Sequence, residues 1–212
     1  MDLKKAIYSR RSVRRYGAGK IQRKEILDLI DAAIHAPSAC DIQGWRFIVV
    51  DDPRLIEELV ERGSASFIKN TSQGILVLYD CRTDNEEYMD YLQSAAAGIQ
   101  NILLTAHSAG IGACWVCHLP NKKEIKGMFN IPPQYDPVAY ISLGYSLGEV
   151  TDRPRKYEAG EIVSYNKFEF KSETREVNAL KVKRTGREIY YKLPLPVRRL
   201  FRPLVDIFEK KF

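Results

Sequence analysis

Residues 74–117 read GILVLYDCRTDNEEYMDYLQSAAAGIQNILLTAHSAGIGACWVC, and this stretch decides the fold class. Its first part, Gly74–Asp80, is a compact apolar run of the kind found in buried strands. Glu86–Ala109 is rich in alanine and leucine, which predicts a long central helix. Gly112–Cys117 returns to a strand pattern. A strand, a buried helix and a second strand in succession indicate an α/β protein with layers around a sheet.

The segments on either side extend this alternation. Apolar residues at helical spacing and capping residues such as Asp52 and Asn121 mark further helices. Helices are predicted over residues 2–9, 26–34, 53–62 and 121–129, and strands over residues 46–50 and 137–145. The last fifty residues are different, being polar over residues 161–193 with β-type patches at Lys167–Phe170 and Ile189–Leu193. We therefore predict a main domain over residues 1–168 and an extension over residues 169–212.

The composition limits the functional classes. A formal net charge of +6 favours an anionic partner: a phosphate-bearing cofactor, nucleic acid or a membrane surface. The N-terminus lacks the features of a secretory peptide, and no apolar run approaches the ~20 residues that span a bilayer. Four cysteines are too few for a disulfide framework in a chain of 212 residues. These features predict a cytoplasmic protein.

Two polar clusters are candidates for ligand binding. Arg10–Arg14 (RRSVR) follows the first helix, and its guanidinium and hydroxyl groups suit phosphate oxygens, although a solvated basic turn is the commoner role of so short a run. Ala36–Phe47 (APSACDIQGWRF) joins a helix to a strand through a polar turn. Its backbone amides suit a flat heterocycle, and a plain connection explains it equally well.

The run Cys114–His118 has the CxxCH spacing of a c-type haem attachment site and the CxxC spacing of a thiol redox pair. Cysteines three apart on a strand point to opposite faces, which disfavours a disulfide or a shared metal. A structural role is favoured, and no metal site is predicted. His35 and His107 lie on predicted helices, where packing or surface roles are commoner than catalysis.

Five segments in one order resemble the nitroreductase family of FMN-dependent NAD(P)H oxidoreductases. They are RRSVRRY (10–16), APSACDIQGWRF (36–47), GIGACWVC (110–117), VAYISLGYSLGEV (138–150), and RPRK (153–156) followed by EIVSYNKF (161–168). Each segment is degenerate, but the five together are specific. The resemblance covers about residues 4–168 and implies a three-layer α/β fold with a central mixed sheet, working as a homodimer.

The resemblance also implies the flavin-binding positions. Arg10–Ser12 match the motif for the FMN phosphate and ribityl chain, and Arg14 matches the basic position beside the pyrimidine edge. Pro37–Ala39 match a segment that crosses from the other subunit to line the ring, and Val116–His118 match the approach to flavin N5. The full implied set is Arg10, Arg11, Ser12, Arg14, Pro37, Ser38, Ala39, Asp41, Gln43, Val116, Cys117, His118, Arg153 and Arg155.

Two positions depart from the family pattern. Asp41 falls where asparagine is usual, and Gly44 replaces the proline of the family's Gln-Pro-Trp. An ionised aspartate cannot donate a hydrogen bond, so Asp41 is expected to face the ribityl hydroxyls and not a flavin carbonyl.

The implied activity is hydride transfer from NADH or NADPH, through flavin N5, to a nitroaromatic or quinone acceptor by a ping-pong mechanism. The protein contributes positioning and electrostatics, and no side chain stands out as a catalytic acid. Another flavin reaction (enone reduction, dehalogenation or flavin modification) and a non-catalytic flavin-binding role are the alternatives. Nucleic-acid binding is disfavoured, because the phosphate clusters and the C-terminal arm account for the basic residues.

The arm itself, from Pro196 to Phe212, is basic and amphipathic. Such a helix can lie on an anionic membrane or bind an acidic partner. We expect it instead to pack on the body or on the partner subunit, because its apolar stripe is short and Pro203 interrupts it.

Overall fold

A computed structural model describes residues 1–82, 85, 87–148, 154–170, 185–186 and 188–209. Among these residues, four strands form one sheet in the order β1-β2-β4-β3. Their bounds are Trp45–Val50 for β1, Gln73–Asp80 for β2, Gly112–Val116 for β3 and Tyr135–Gly144 for β4. The α/β class is confirmed. The sheet was expected to be mixed, but its three pairings are antiparallel over the described residues. The strand β4 lies between β2 and β3 and is antiparallel to both, so β2 and β3, which run in the same direction, are not neighbours.

Six helices are named along the described part of the chain. They are α1 (Leu3–Ser9), α2 (Arg23–Ile34), α3 (Pro53–Glu61), α4 (Asp90–Ser108), α5 (Lys122–Met128) and α6 (Leu195–Glu209). The predicted caps are confirmed, since Asp52 accepts from the backbone N–H of Arg54 and Asn121 from that of Glu124. The central helix begins later than predicted, because Met89 has a left-handed backbone (φ 47°) that α4 cannot include.

Alternation along the central strands builds the three layers. Ile75 and Val77 of β2 face a core shared with α2 and α4, while Leu76 and Leu78 face a second core shared with α3 and α5. Strand residues two apart share a face, so one apolar run serves both cores. This explains why β2 is buried over nearly its whole length. The sheet therefore gives the surrounding loops a rigid frame.

The chain divides into two compact units, Met1–Val150 and Thr151–Phe212. The domain boundary at residue 168 remains a prediction. In the second unit Lys167–Phe170 is irregular and residues 188–192 are helical, so the two β-type patches were wrong. Tyr190 donates its hydroxyl to the Arg198 carbonyl at 3.3 Å, a contact between this helical turn and α6 that sequence periodicity does not reveal. The expectation that Pro203 interrupts the last helix was also wrong, since α6 includes it.

No helix among the described residues is long and apolar enough to cross a membrane.

Candidate functional site

The segment that follows α1 is fixed against β3. The Val13 backbone N–H donates to the Ala113 carbonyl at 3.0 Å, and the buried Tyr16 hydroxyl donates to the Val13 carbonyl at 2.6 Å. Gly112 makes this approach possible, because a Cβ there would lie 2.9 Å from Val13 Cγ1. Side chains carried by this segment therefore have defined positions beside the strand.

Three of the predicted phosphate and ring ligands influence Cys114 on β3. Burial raises the pKa of the Cys114 thiol, while the Arg14 charge, a hydrogen bond with Ser12 and the Arg10 charge oppose that rise. A hydrogen bond requires that Ser12 lies beside the thiol, whereas the charges of Arg10 and Arg14 act on it over a longer range. The Arg14 guanidinium also lies over the Phe67 ring, 6.0 Å from its centroid. These three side chains thus come from one segment held beside β3.

Arg11 has a different environment. Its Nη1 donates to the Tyr8 carbonyl at 2.7 Å and to the Arg10 carbonyl at 2.9 Å. These are carbonyls at the C-terminal end of α1, where a cation also complements the helix dipole. Arg11 therefore fixes the end of α1 and, through it, the start of the Arg10–Arg14 segment.

Val116, Cys117 and His118 lead away from the end of β3. Val116 is buried as the last strand residue, Cys117 is exposed and His118 is half-buried. The His118 carbonyl accepts from the Ala65 N–H at 3.3 Å, which ties the strand end to the 3-10 turn Ser66–Asn70. Cys114 is buried, and both thiols of the CxxC are free. The segment therefore continues from the strand that also carries Cys114.

The second predicted cluster forms a tight turn after α2. Cys40, Asp41 and Gln43 have φ values of 49°, 55° and 52°, the left-handed region that residues with side chains rarely adopt. Internal bonds hold the turn: Ser38 Oγ accepts from the Gln43 N–H at 3.1 Å, and Asp41 Oδ1 accepts from Gln43 Nε2 at 2.7 Å. Pro37 and the side chains of Asp41 and Gln43 are exposed.

The turn is anchored to α4 and β2. The Ala39 N–H donates to Ser94 Oγ at 3.0 Å, and the Asp80 N–H donates to the Gly44 carbonyl at 3.0 Å. Gly44 permits this contact, because a Cβ there would lie 2.8 Å from the buried Tyr79 ring. The turn thus lies at the C-terminal end of β2.

The two clusters lie at opposite ends of β2. Val13 bonds Ala113, which pairs with Leu143 of β4, and Leu143 pairs in turn with Gln73, the first residue of β2. Gly44 bonds Asp80, the last residue of the same strand. Seven residue steps at the usual strand rise separate them by about 23 Å along the strand direction. One protomer therefore does not place both clusters around one ring.

Residues that the sequence did not single out line an open cleft of about 470 Å³. Arg15 and Gly17 form one wall and Lys69 and Ser72 the other, joined by a bond from Ser72 Oγ to the Gly19 carbonyl at 2.8 Å. The Lys69–Ser72 stretch is a polar interval between two apolar runs, which in sequence looks like an ordinary loop. Only the fold brings it beside the Arg10–Tyr16 segment.

The remaining predicted positions lie in the second unit. Arg155 is exposed, and Arg153 lies outside the described residues. Among the described residues, no three His, Cys, Asp or Glu side chains come together as a possible metal site.

Comparison with known proteins identifies the family. The model of the nitroreductase family matches residues 7–74 and 65–145. The chain belongs to the nitroreductase family. A Methanothermobacter thermautotrophicus relative, provisionally named NADH dehydrogenase/NAD(P)H nitroreductase, is 34% identical over 149 residues, covering 68% of this chain and 78% of the relative.

Solved structures of nitroreductase-family type share the fold. An FMN-dependent nitroreductase from Clostridium difficile R20291 is 26% identical, with a TM-score of 0.69 over 78% of this chain and 100% of that one. A Clostridium acetobutylicum protein provisionally named NADH oxidase is 32% identical, with a TM-score of 0.68 over 77% of this chain and 99% of that one. This nitroreductase-family chain is accordingly an oxidoreductase enzyme.

Proposed function

We propose that this enzyme binds FMN and passes hydride from NADH or NADPH to an organic acceptor of the nitroaromatic or quinone type by a ping-pong mechanism. The observation that carries the proposal is the hydrogen bond that holds the Arg10–Arg14 segment beside β3, the strand that leads to Val116–His118. The name of the Clostridium difficile relative, an FMN-dependent nitroreductase, supports a flavin cofactor. The name of the Methanothermobacter relative supports a nicotinamide donor. The acceptor class rests on the family resemblance alone.

The residues present fit a flavin mononucleotide. Arg10 and Ser12 offer a guanidinium and a hydroxyl within three residues of a rigidly held backbone, which suits a phosphate and its neighbouring hydroxyls. Arg14 offers a fixed positive charge two residues further on, which would stabilise negative charge on a reduced ring. Arg155, and Arg153 from the sequence, would add cations to the phosphate.

When bound, FMN would supply the two-electron chemistry that no side chain of this site can perform. The protein would position the cofactor and tune its charge through Arg14 and through the backbone around Cys117. Cys117 and Arg14 are both exposed, which leaves this side open to the nicotinamide and the acceptor in turn. The proton that the acceptor requires would come from solvent.

The proposal includes a homodimer with FMN at the subunit interface. Because the Pro37–Gln43 turn lies at the other end of β2 from Arg10–Arg14, a ring held by one cluster would meet the other cluster only from a second protomer. The exposed side chains of Asp41 and Gln43 are available for such a contact.

Flavin content tests the proposal directly. The purified protein should be yellow, and Arg10→Ala combined with Arg155→Ala should release FMN because the phosphate loses two cations. The matched control is Arg23→Ala with Lys24→Ala, which removes two exposed cations from the start of α2. Full FMN retention by the first double variant would refute the phosphate assignment.

Rapid reduction distinguishes the enzyme from a flavin-binding protein. NADH or NADPH should bleach the visible flavin band in a stopped-flow experiment, and a nitroaromatic or quinone should then restore the band without nicotinamide present. Tight FMN binding without bleaching would favour the non-catalytic alternative.

A further inference from the structure

The net positive charge of this protein comes from one end of its sequence. Residues 171–212 contain twelve of the 33 lysines and arginines but five of the 27 acidic residues, a net charge of +7. Residues 1–170 carry the remaining −1. A nucleotide phosphate bound by Arg10 and Arg155 does not explain this excess, because neither residue lies within it.

The same stretch contains the continuous amphipathic helix α6. It runs from Leu195 to Glu209 and includes Pro203, so it is about 22 Å long at 1.5 Å per residue. Val197, Leu200, Phe201, Leu204 and Phe208 recur at helical spacing. One of the two premises that favoured packing of this arm, the interruption at Pro203, therefore does not hold.

Contacts within the second unit leave apolar residues of α6 in solvent. Arg198 is buried, with its guanidinium 5.9 Å from the centre of the Tyr191 ring, and its carbonyl accepts from Tyr190. Leu200 remains 75% exposed and Phe201 45% exposed. At 100° per residue, Arg199 lies about 100° from Leu200 around the helix and about 160° from Phe201. Arg199 thus lies outside the face that Leu200 and Phe201 mark.

We propose that α6 lies along an anionic lipid surface, with Leu200 and Phe201 entering the acyl boundary and the basic residues contacting headgroups. The net positive charge of residues 171–212 and the apolar exposure of α6 occur in the same stretch of the chain, which is the combination that interfacial segments use. The helix itself carries Arg198, Arg199 and Arg202 against Asp206 and Glu209, so most of the excess comes from the residues before it. An acidic protein would account for the charge but would not need an exposed leucine. The lipid contact would place a nitroreductase-family enzyme beside acceptors that dissolve in membranes.

Vesicle sedimentation tests this inference with the full-length protein. It should pellet with vesicles containing equal parts phosphatidylglycerol and phosphatidylcholine, not with pure phosphatidylcholine, and raised salt should weaken the binding. Leu200→Glu with Phe201→Glu should abolish binding. The matched control is Leu3→Glu with Leu27→Glu, at positions 70% and 54% exposed in the first unit, which should retain more binding than the α6 pair.

Charge is tested separately. Arg199→Glu should weaken vesicle binding more than tenfold, because two units of charge are lost and each is worth about fivefold near the surface. Arg23→Glu makes the same charge change on α2 and should weaken binding much less.

Three results would overturn the inference. The wild-type protein could fail to pellet with either vesicle. It could pellet equally with both. The Leu200→Glu, Phe201→Glu variant could retain full vesicle binding, which would show that charge alone holds the protein on the vesicle. Sedimentation velocity identifies the rival occupant: loss of a dimer in that variant, with no vesicle binding by the wild type, would assign the face to a second copy.

Discussion

His107 reports the charge around Arg10. Its Nε2 lies 2.7 Å from Ser9 Oγ, at the end of α1 where the Arg10–Arg14 segment begins. Burial lowers the pKa of His107 from its usual 6.5, and the charges of Arg10 and Arg11 lower it further. A titration of this histidine therefore senses what happens to those two guanidinium groups.

Neutralising Arg10 should raise the pKa of His107. In the apoprotein, Arg10→Ala removes one of the two repelling charges, and in the wild type a phosphate bound to Arg10 would act in the same direction. NMR titration of the histidine ring measures both shifts. Arg23→Ala is the control and should leave the titration unchanged. An unaltered His107 pKa on FMN binding would separate Arg10 from the phosphate.

The same histidine should make stability fall in acid. Because its pKa is lower in the folded protein, the unfolded chain binds the extra proton first, so this contribution is full above pH 6.5 and declines as the pH falls below it. His107→Gln removes the titrating group and keeps a polar partner for Ser9. Denaturation at pH 8 and pH 5.5 should show a smaller loss of unfolding free energy for the variant. An equal loss of unfolding free energy in the variant and the wild type would mean that groups other than His107 determine the decline of stability in acid.

Two glycines should respond oppositely to alanine. A Cβ at Gly74 would lie 2.2 Å from Tyr140 Cζ, whose ring is fully buried and cannot move aside, so Gly74→Ala should cost about 3 kcal/mol or more. Gly127, in the short exposed α5, has nothing within 4 Å of such a Cβ and should gain about 0.5–1 kcal/mol. Chemical denaturation of both variants tests this, and a stable Gly74→Ala protein would contradict the packing of Tyr140.

Among the secondary structure elements, the strained turn after α2 carries the clearest departure from the family pattern. Asp41→Asn should leave stability within about 0.5 kcal/mol, because asparagine tolerates φ 55° and keeps the acceptor for Gln43. It should also tighten FMN binding several-fold by removing a negative charge near an anionic cofactor. Fluorescence titration with FMN measures the affinity, with Asp31→Asn on α2 as the control. Weaker binding by Asp41→Asn would show that its charge is needed.

The features that the sequence predicted well depend on residues close together in the chain. Asp52 and Asn121 cap their helices because a side-chain oxygen needs only the next few backbone N–H groups. The start of α4 was missed because it depends on the backbone angle of Met89. The antiparallel sheet was missed because insertion of β4 between β2 and β3 is a non-local choice that neither strand encodes.

For the candidate site the division is similar. Arg10, Ser12 and Arg14 come from one short segment held beside β3, and their role toward a flavin stays a prediction. Lys69 and Ser72 were missed, because only the fold brings their loop beside Arg15. No pattern in the sequence places the Pro37–Gln43 turn and the Arg10–Arg14 segment at opposite ends of one strand.

At the scale of the whole molecule, that separation would make the proposed site a property of two chains. If FMN sits between subunits, an Arg10→Ala, Arg14→Ala protomer and a Pro37→Trp protomer damage different halves of each site. Pro37 is exposed, so the tryptophan should block the ring without unfolding the turn. Each variant alone should bind little FMN.

Mixing the two variants should restore flavin binding. In a symmetric dimer each heterodimer contains one intact site and one doubly damaged site, so random exchange should recover about a quarter of all sites. Unfolding and refolding the variants together, then measuring bound FMN and NADH oxidation per chain, tests this. A single chain carrying all three changes is the control and should recover nothing. If the mixture binds no more FMN than its separate components, the two clusters do not contribute to the same intersubunit site.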